Sequence, residues 1–472
     1  MRNSLILTQD CQLFSALQER VQPFDVNVKF CEDAASVKGW MKQFKTSFLF
    51  LDLRPSHHSL ETDSFIKELS REGTPRPTVI TLSDGSLPCQ VAGELSLVAA
   101  AHLIFDEETS QLNSWDKDAR RNFERVMSRD ALSEIPQSCT LAGTSQSLTT
   151  HQPEFFQVLE DLQRVAHRDV TVLLIGETGT GKTTLARIIH ERSKRCDAPF
   201  QQLACGALPA EIIESELFGH IRGAFTGAER NKIGRFQAAG KGTLLLDEID
   251  VLDVKQQAKL LKVIETGEYE MVGSTEPMQS DARLITASNI NLEDLTGSNR
   301  FRSDLYYRLS VLEFRLLPLR ERPIDIVPMA VEFVEECCRE HEIQIQSIDL
   351  EFLHALQSYS WPGNIRELKN HIRRAVLFAE NGRLQKSDLS AKVTESPITS
   401  TMSDPELCEN QTLAEQVADN ERELLMQALE ANRHNRTRTA QSLGISRVGL
   451  YKKMRRLGLL EDSSRGDLKR AS

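Results

Sequence analysis

Gly176-Glu177-Thr178-Gly179-Thr180-Gly181-Lys182-Thr183 has the spacing of a loop that wraps a phosphate chain. Glycines at 176, 179 and 181 let the backbone turn tightly, so that N–H groups point inward at phosphate oxygens. Lys182 then meets the terminal phosphates and Thr183 offers a hydroxyl to magnesium; Thr184 belongs to the same nucleotide-binding set. The apolar run Val170 to Ile175 suits a buried parallel strand, and Thr183 to Glu191 continues with helical spacing, which sets the phosphates on a helix N-terminus. A second apolar run, Thr243-Leu244-Leu245-Leu246, ends in Asp247-Glu248. Asp247 is placed to hold the magnesium, directly or through water, and Glu248 to orient and deprotonate an attacking water. The chemistry expected is hydrolysis of ATP with Mg2+ as cofactor.

Between these two strands sits Gly223-Ala224-Phe225-Thr226-Gly227-Ala228. Glycines at both ends give hinge freedom, while Phe225 and Thr226 supply an apolar and a hydroxyl contact. An ATPase with an aromatic-tipped loop in that place is built to push on something. Near the other end, residues 431–460 contain eight Lys or Arg and no Asp or Glu, in a chain of net charge -11. That concentration is the footprint of a phosphate-binding face. Arg436 to Lys453 reads as helix, glycine turn, helix, with Ser446 as N-cap of the second helix. Ser446, Arg447 and Tyr451 suit major-groove reading, and Lys452 and Lys453, with Arg455 and Arg456, suit backbone contacts. Modules of this kind act as dimers on paired half-sites.

These residues need scaffolds. At 472 residues the chain has room for about three domains. Hydrophobic content of 40% and charged content of 26% are ordinary for globular proteins and exclude whole-chain disorder. Nine scattered cysteines without a C-x-x-C pair exclude a disulfide scaffold or zinc site. The start lacks a signal peptide and no run of about 18 apolar residues exists, so a cytoplasmic protein is expected. Ser4 to Thr8, Asn27 to Phe30, Ser47 to Leu51 and Thr78 to Leu82 read as strands separated by helices, with Leu95 to Phe105 as a fifth. That alternation implies a parallel sheet covered on both faces. Residues 113–137 read as a linker or connecting helix. A Pro-, Ser- and Thr-containing break follows the ATPase region and reads as a tether.

From Leu141 to Gln385 the order and wording of the motifs resemble the sigma-54-dependent transcription activators, AAA+ ATPases that remodel a stalled bacterial RNA polymerase. Glu214 to His220 matches that family, and the six letters from Gly223 match without change, which implies that Phe225 and Thr226 contact the sigma factor. Ala287-Ser288-Asn289 looks like the family's sensor I, with Asn289 reporting the terminal phosphate. The segment Phe301 to Leu309 is similar to the one holding its arginine fingers. On that match Arg302 and Arg308 reach into the neighbouring subunit's ATP, where a finger is worth about a thousandfold or more in rate. Trp361 to Leu368 looks like the start of the lid's sensor II helix, and Arg366 there touches the nucleotide of its own subunit. The C-terminal stretch resembles the Fis-type helix-turn-helix. One departure stands out. The family usually reads Asn-Cys-Ala-Ala-Leu after its second strand, the asparagine holding the catalytic glutamate away from water, whereas this chain has Ala204-Cys205-Gly206-Ala207-Leu208. Basal hydrolysis is then less tightly gated, or another side chain substitutes.

The N-terminal region resembles a response-regulator receiver, with Asp52 where the phosphoacceptor would sit. Receivers carry an acidic pair after the first strand, where this chain has Gln9 and Asp10. They carry a lysine after the fifth strand, where Phe105-Asp106-Glu107 offers none. The expectation is a receiver fold that is not phosphorylated.

The expected fold class is α/β. A receiver-like doubly wound domain spans 1–112, a linker 113–137, and a AAA+ P-loop ATPase with helical lid 138–385. A flexible linker over 386–411 and an all-α helix-turn-helix over 412–460 follow. The expected function is DNA-bound transcription activation in which ATP hydrolysis remodels sigma-54 RNA polymerase into an open complex. Partners are upstream activating DNA sites, the sigma-54 polymerase and copies of the chain itself, as dimers assembling to a hexamer-like ring, with no membrane. Two rivals remain: a DNA-binding regulator that works with a housekeeping sigma factor and uses nucleotide as effector, and a AAA+ remodeller of other substrates.

Overall fold

The computed structural model describes residues 2–70, 76–114, 117–128 and 136–394. The N-terminal module contains β1 (Arg2–Leu7), α1 (Cys11–Val21), β2 (Val26–Cys31), α2 (Ala34–Gln43), β3 (Phe48–Asp52), α3 (Leu60–Leu69), β4 (Thr78–Ser83), β5 (Ser86–Pro88), α4 (Ala92–Val98), β6 (Ala99–Asp106), β7 (Gln111–Asn113) and α5 (Lys117–Ser128). Its sheet runs β2-β1-β3-β4-β6-β7, parallel throughout except for the β6–β7 hairpin. The run Phe48-Leu49-Phe50-Leu51 is buried on both faces, as a central strand of a covered parallel sheet must be. Asp10 caps α1 by accepting from the N–H groups of Gln12 and Leu13.

The ATPase module continues with β8 (Cys139–Ala142), β9 (Ser147–Thr150), α6 (Pro153–Ala166), β10 (Val172–Ile175), α7 (Lys182–Glu191), β11 (Phe200–Ala204), α8 (Ala210–Phe218), β12 (Gly219–His220), β13 (Lys232–Ile233), α9 (Arg235–Ala239), β14 (Thr243–Asp247), α10 (Val254–Thr266), β15 (Glu268–Glu270), β16 (Pro277–Gln279), β17 (Arg283–Ser288), α11 (Leu292–Gly297), α12 (Ser303–Leu309) and β18 (Glu313–Arg315). Five parallel strands in the order β11-β14-β17-β10-β18 form its sheet. The carboxyl ends of β10, β14 and β17 therefore open on one crevice, the usual ligand position in such sheets. The lid is α13 (Pro323–His341), β19 (Ser347–Asp349), α14 (Leu350–Ser358), α15 (Asn364–Phe378), β20 (Arg383–Leu384) and α16 (Ala391–Thr394). No helix among the described residues is long and apolar enough to cross a membrane.

Three expectations are corrected. Leu95 to Phe105 is not one strand: Leu95 to Val98 closes α4, and the strand begins at Ala99. A short apolar run carries no period that separates a buried helix end from a buried strand. The helix within 113–137 is no free connector, because Phe123 and Met127 of α5 are fully buried beside Leu13, Phe48 and Phe50. The break expected from 386 does not begin there, since Leu389 and Val393 pack into the lid core. Residues 395–472, and with them the helix-turn-helix reading over 412–460 and Ser446, Arg447, Tyr451, Lys452 and Lys453, lie outside the described residues.

The N-terminal module is built into the lid. Strand β5 pairs antiparallel with β19, Ile348 opposite Leu87, and extends the β19–β20 pair to three strands. Beside it α4 lies against α13, and Leu87, Val91, Ala92 and Leu95 share one apolar core with Val327, Ala330, Val331 and Val334. Close approach depends on Gly93, where an added Cβ would already touch Pro328 and Val331 at 3.7 Å.

Candidate nucleotide site

A cavity of about 350 Å³ opens where β10, β14 and β17 end, between the ATPase sheet and the lid. Thr178, Gly179, Gly181, Lys182, Thr183, Thr184, Asp247, Glu248, Asn289 and Arg366 all line it. Residues scattered over nearly two hundred positions of sequence thus converge on one space. Sequence reasoning missed its far wall, which is made by Leu148, His151 and the α13 residues Asp325, Met329, Glu332 and Phe333.

The loop between β10 and α7 has the backbone its glycines allow. Gly179 and Gly181 take φ values of +82° and +103°, in the left-handed region that disfavours other residues. Gly179 is doubly required, because a Cβ there would stand 2.3 Å from the Gly363 carbonyl of the lid. The lid closes on the loop at this point. Ile365 N–H donates to Gly179 O at 3.0 Å, and Asn364 Nδ2 donates to Thr178 O and Glu177 Oε2, both at 3.1 Å. Arg320 grips Glu177 bidentately at 2.9 and 2.7 Å. Hydrogen bonding from Arg320, against a smaller effect of burial, holds the Glu177 carboxyl below its ordinary range. Asn364 is fully buried with φ of +50° and also accepts from Leu319 N–H at 2.7 Å.

At the chemical end, Lys182 Nζ donates to Gly176 O at 2.6 Å, Glu177 O at 3.0 Å and Asn289 Oδ1 at 2.7 Å. Burial pushes its pKa down, opposed by the charges of Asp247, Glu248 and Asp250. Thr183 Oγ1 donates to Asp247 Oδ2 at 3.2 Å, and Asn289 Nδ2 to Glu248 Oε1 at 3.1 Å. A buried cation, inward backbone donors and a hydroxyl beside a carboxylate are the donor set that a magnesium-bound phosphate chain needs. On the far wall Asp325 accepts from Thr150 Oγ1 and His151 N–H, both at 2.6 Å, and from Arg322 Nε at 2.8 Å. Burial alone would raise the Asp325 carboxyl. Its bonds to His151 and Thr150 and the charge of Arg322 outweigh that and lower it.

Two predicted arginines lie elsewhere. Arg302, partly buried, pairs with Asp304 at 2.6 Å and Arg308, exposed, with Glu265 at 3.2 Å, and neither lines the cavity. The hexapeptide is a surface turn pinned by backbone bonds, Gly223 N–H to Ala228 O at 2.9 Å and Ala228 N–H to Phe225 O at 3.0 Å. Gly223 and Gly227 have φ of +83° and +99°. Phe225 is 46% exposed and packs against the His220 ring, centroids 4.9 Å apart at an interplanar angle of 66°, and Thr226 is exposed.

In the N-terminal module Asp52 is buried, and the cation that the motif lacks is present two residues on. The Arg54 guanidinium donates to Asp52 Oδ1 and Oδ2 at 3.0 and 2.9 Å, to Asp10 Oδ2 at 2.8 Å and to Glu107 Oε1 at 2.9 Å. Thr8 Oγ1 adds a donor to Asp52 at 2.7 Å, and Arg54 stacks over Phe105 at 4.7 Å. Burial opposes the Arg54 charge, but its bonds to Asp52 and Asp10 more than offset this and raise its pKa.

Comparison with known proteins agrees with the geometry. The family described as Sigma-54 interaction domain matches residues 148–315, the AAA+ ATPase lid domain 320–405, and the bacterial regulatory protein, Fis family, 416–457. Regulatory protein AtoC of Escherichia coli (strain K12) is 38% identical over 312 residues, 66% of this chain and 68% of its own. Response regulator protein PilR of Pseudomonas aeruginosa is 37% identical over 318 residues, 67% of this chain and 71% of its own. The formate hydrogenlyase transcriptional activator of Salmonella typhimurium (strain LT2) is 41% identical over 313 residues, where this chain spans only 44% of its length. Among solved structures, NtrX from Brucella abortus in complex with ADP aligns over 97% of this chain and 100% of its own, with a TM-score of 0.49 and 24% identity.

Proposed function

The chain belongs to the sigma-54-dependent transcription activators, and we propose that it hydrolyses ATP to remodel the sigma-54 RNA polymerase into an open complex. One observation carries this reading: a single cavity gathers Lys182, Thr183, Asp247, Glu248, Asn289 and Arg366, while Phe225 and Thr226 stand exposed on a separate turn. The loop from Gly176 to Thr184 binds the phosphates through backbone N–H groups and Lys182. Thr183 and Asp247 would hold Mg2+, which neutralises phosphate charge. Glu248 takes the proton of the attacking water as the bond to the ADP oxygen breaks. Arg302 and Arg308 complete the site of the adjacent subunit in a ring. Upstream DNA is held by the Fis-type module in the cytoplasm, with Ser446, Arg447 and Tyr451 on base edges and Lys452 and Lys453 on phosphates. We assign 1–112 with α5 to regulation and 138–385 to the ATPase.

The rival in which a housekeeping sigma factor serves is decided by transcription from the chain's target promoters in a strain lacking sigma-54. Loss of that transcription is expected; full retention would refute the proposal.

Asp52 we read as a structural counter-ion, not a phosphoacceptor. The guanidinium shared by Asp52, Asp10 and Glu107 stands among these carboxylates where a cation would bind, and both Asp52 oxygens already accept donors. Acetyl phosphate is therefore expected to label neither the native chain nor Asp52→Ala. The variant should nevertheless melt earlier. Removing one partner of a buried pair costs up to about 3–5 kcal/mol, here reduced because Asp10 and Glu107 still hold Arg54. Stoichiometric labelling that depends on Asp52 would contradict this.

A further inference from the structure

The position of Glu248 is not that of a free base. It has φ of +58°, left-handed backbone that a glutamate rarely adopts. Its Oε1 accepts from Asn289 Nδ2 at 3.1 Å. Its Oε2 lies where residue 206 would carry a Cβ: built on Gly206, that atom would be 1.7 Å from Oε2. The carboxylate fits there only because position 206 is glycine. The orientation of the Asn289 amide is set by chemistry. Lys182 is a donor without acceptor capacity, so the amide oxygen must face it, and the NH2 end then faces a carboxylate that can only accept. Lys182, Asn289 and Glu248 form one chain in which all three Lys182 protons are used. On the neighbouring strand Ala204 pairs with Asp247 and offers no amide.

We propose that Asn289 and Gly206 together hold Glu248 in a resting position, and that Asn289 is the positioning residue linking phosphate occupancy to release of the base. When the terminal phosphate of ATP draws the Lys182 donors, Asn289 loses its anchor, and its grip on Glu248 loosens with it. Glu248 then turns from the space above Gly206 toward the cavity, where it accepts the water proton. This rests on the reading of Glu248 as the base.

Gly206→Ala in the full chain tests it, because the atom displaced is the far end of a flexible side chain and the fold has no other reason to object. With the resting place filled, basal kcat for ATP hydrolysis should rise about tenfold, the worth of one charge-assisted hydrogen bond, with KM little changed. Adding Glu248→Gln to Gly206→Ala should abolish the rise. Ala204→Asn should act in the opposite sense, lowering basal kcat by supplying a second amide beside Glu248. An unchanged or lower kcat in a folded, nucleotide-binding Gly206→Ala protein overturns the proposal. If Gly206→Ala fails to fold, an unchanged or higher kcat in Ala204→Asn does the same. A native chain that does not hydrolyse ATP at all, or a Glu248→Gln chain that hydrolyses normally, would instead overturn the underlying assignment of the base.

Discussion

Glu248→Gln is expected to keep nucleotide binding and to lose hydrolysis by about a hundredfold to ten-thousandfold, the usual contribution of a positioned general base. The substitution is nearly isosteric. It leaves Lys182 with its bonds to Gly176, Glu177 and Asn289 and leaves Thr183 beside Asp247, so the phosphate and magnesium ligands are untouched. A glutamine oxygen can still accept from Asn289 Nδ2, but the amide cannot take a proton from water. Binding of a fluorescent ATP analogue and steady-state phosphate release separate the two effects. Loss of binding together with hydrolysis, or hydrolysis at the native rate, would show that the roles of Asp247 and Glu248 are misassigned.

Thr226→Ala should divide the ATPase from its output. The turn that carries Thr226 is held by backbone bonds between Gly223, Phe225 and Ala228, so removing the exposed hydroxyl and methyl of Thr226 leaves its shape intact. The nucleotide cavity contains no residue of this turn. ATP hydrolysis and DNA binding should therefore persist while open-complex formation at a sigma-54 promoter fails. Gel-shift, phosphate-release and single-round transcription assays on one preparation read all three. Full activation by the variant would remove the turn as the sigma-factor contact.

Legibility from sequence followed the range of the interactions. The phosphate loop could be read directly because its chemistry lies within eight residues and its glycines have local reasons to be there. Asp247 and Glu248 were readable because a strand that ends in acids is a local pattern. Asn289, Arg366, Arg302 and Arg308 were reached through resemblance, since nothing near Asn289 in sequence announces a bond to Lys182, 107 positions away. Arg54 escaped notice although it stands two residues from Asp52. Its role depends on Asp10 and Glu107, which are 44 and 53 positions distant. The clamp of Arg320 and Asn364 on Glu177 bridges 143 and 187 positions and was invisible for the same reason. Insertion of β5 into the lid is a non-local strand pairing, and the short stretch Ser86-Leu87-Pro88 carries too little pattern to declare itself. The departure at Ala204 was visible, but the bond from Asn289 to Glu248 and the room left by Gly206 required coordinates.

Hydrolysis in this cavity is proposed to drive promoter melting by one class of polymerase. This is tested most directly by permanganate reactivity of thymines at a sigma-54 promoter carrying the chain's upstream site. Purified chain, sigma-54 polymerase and either ATP or a non-hydrolysable analogue are combined, with a housekeeping-sigma polymerase in parallel. Melting is predicted only with ATP and only with the sigma-54 enzyme. Melting with the analogue, or with the housekeeping enzyme, would contradict the account.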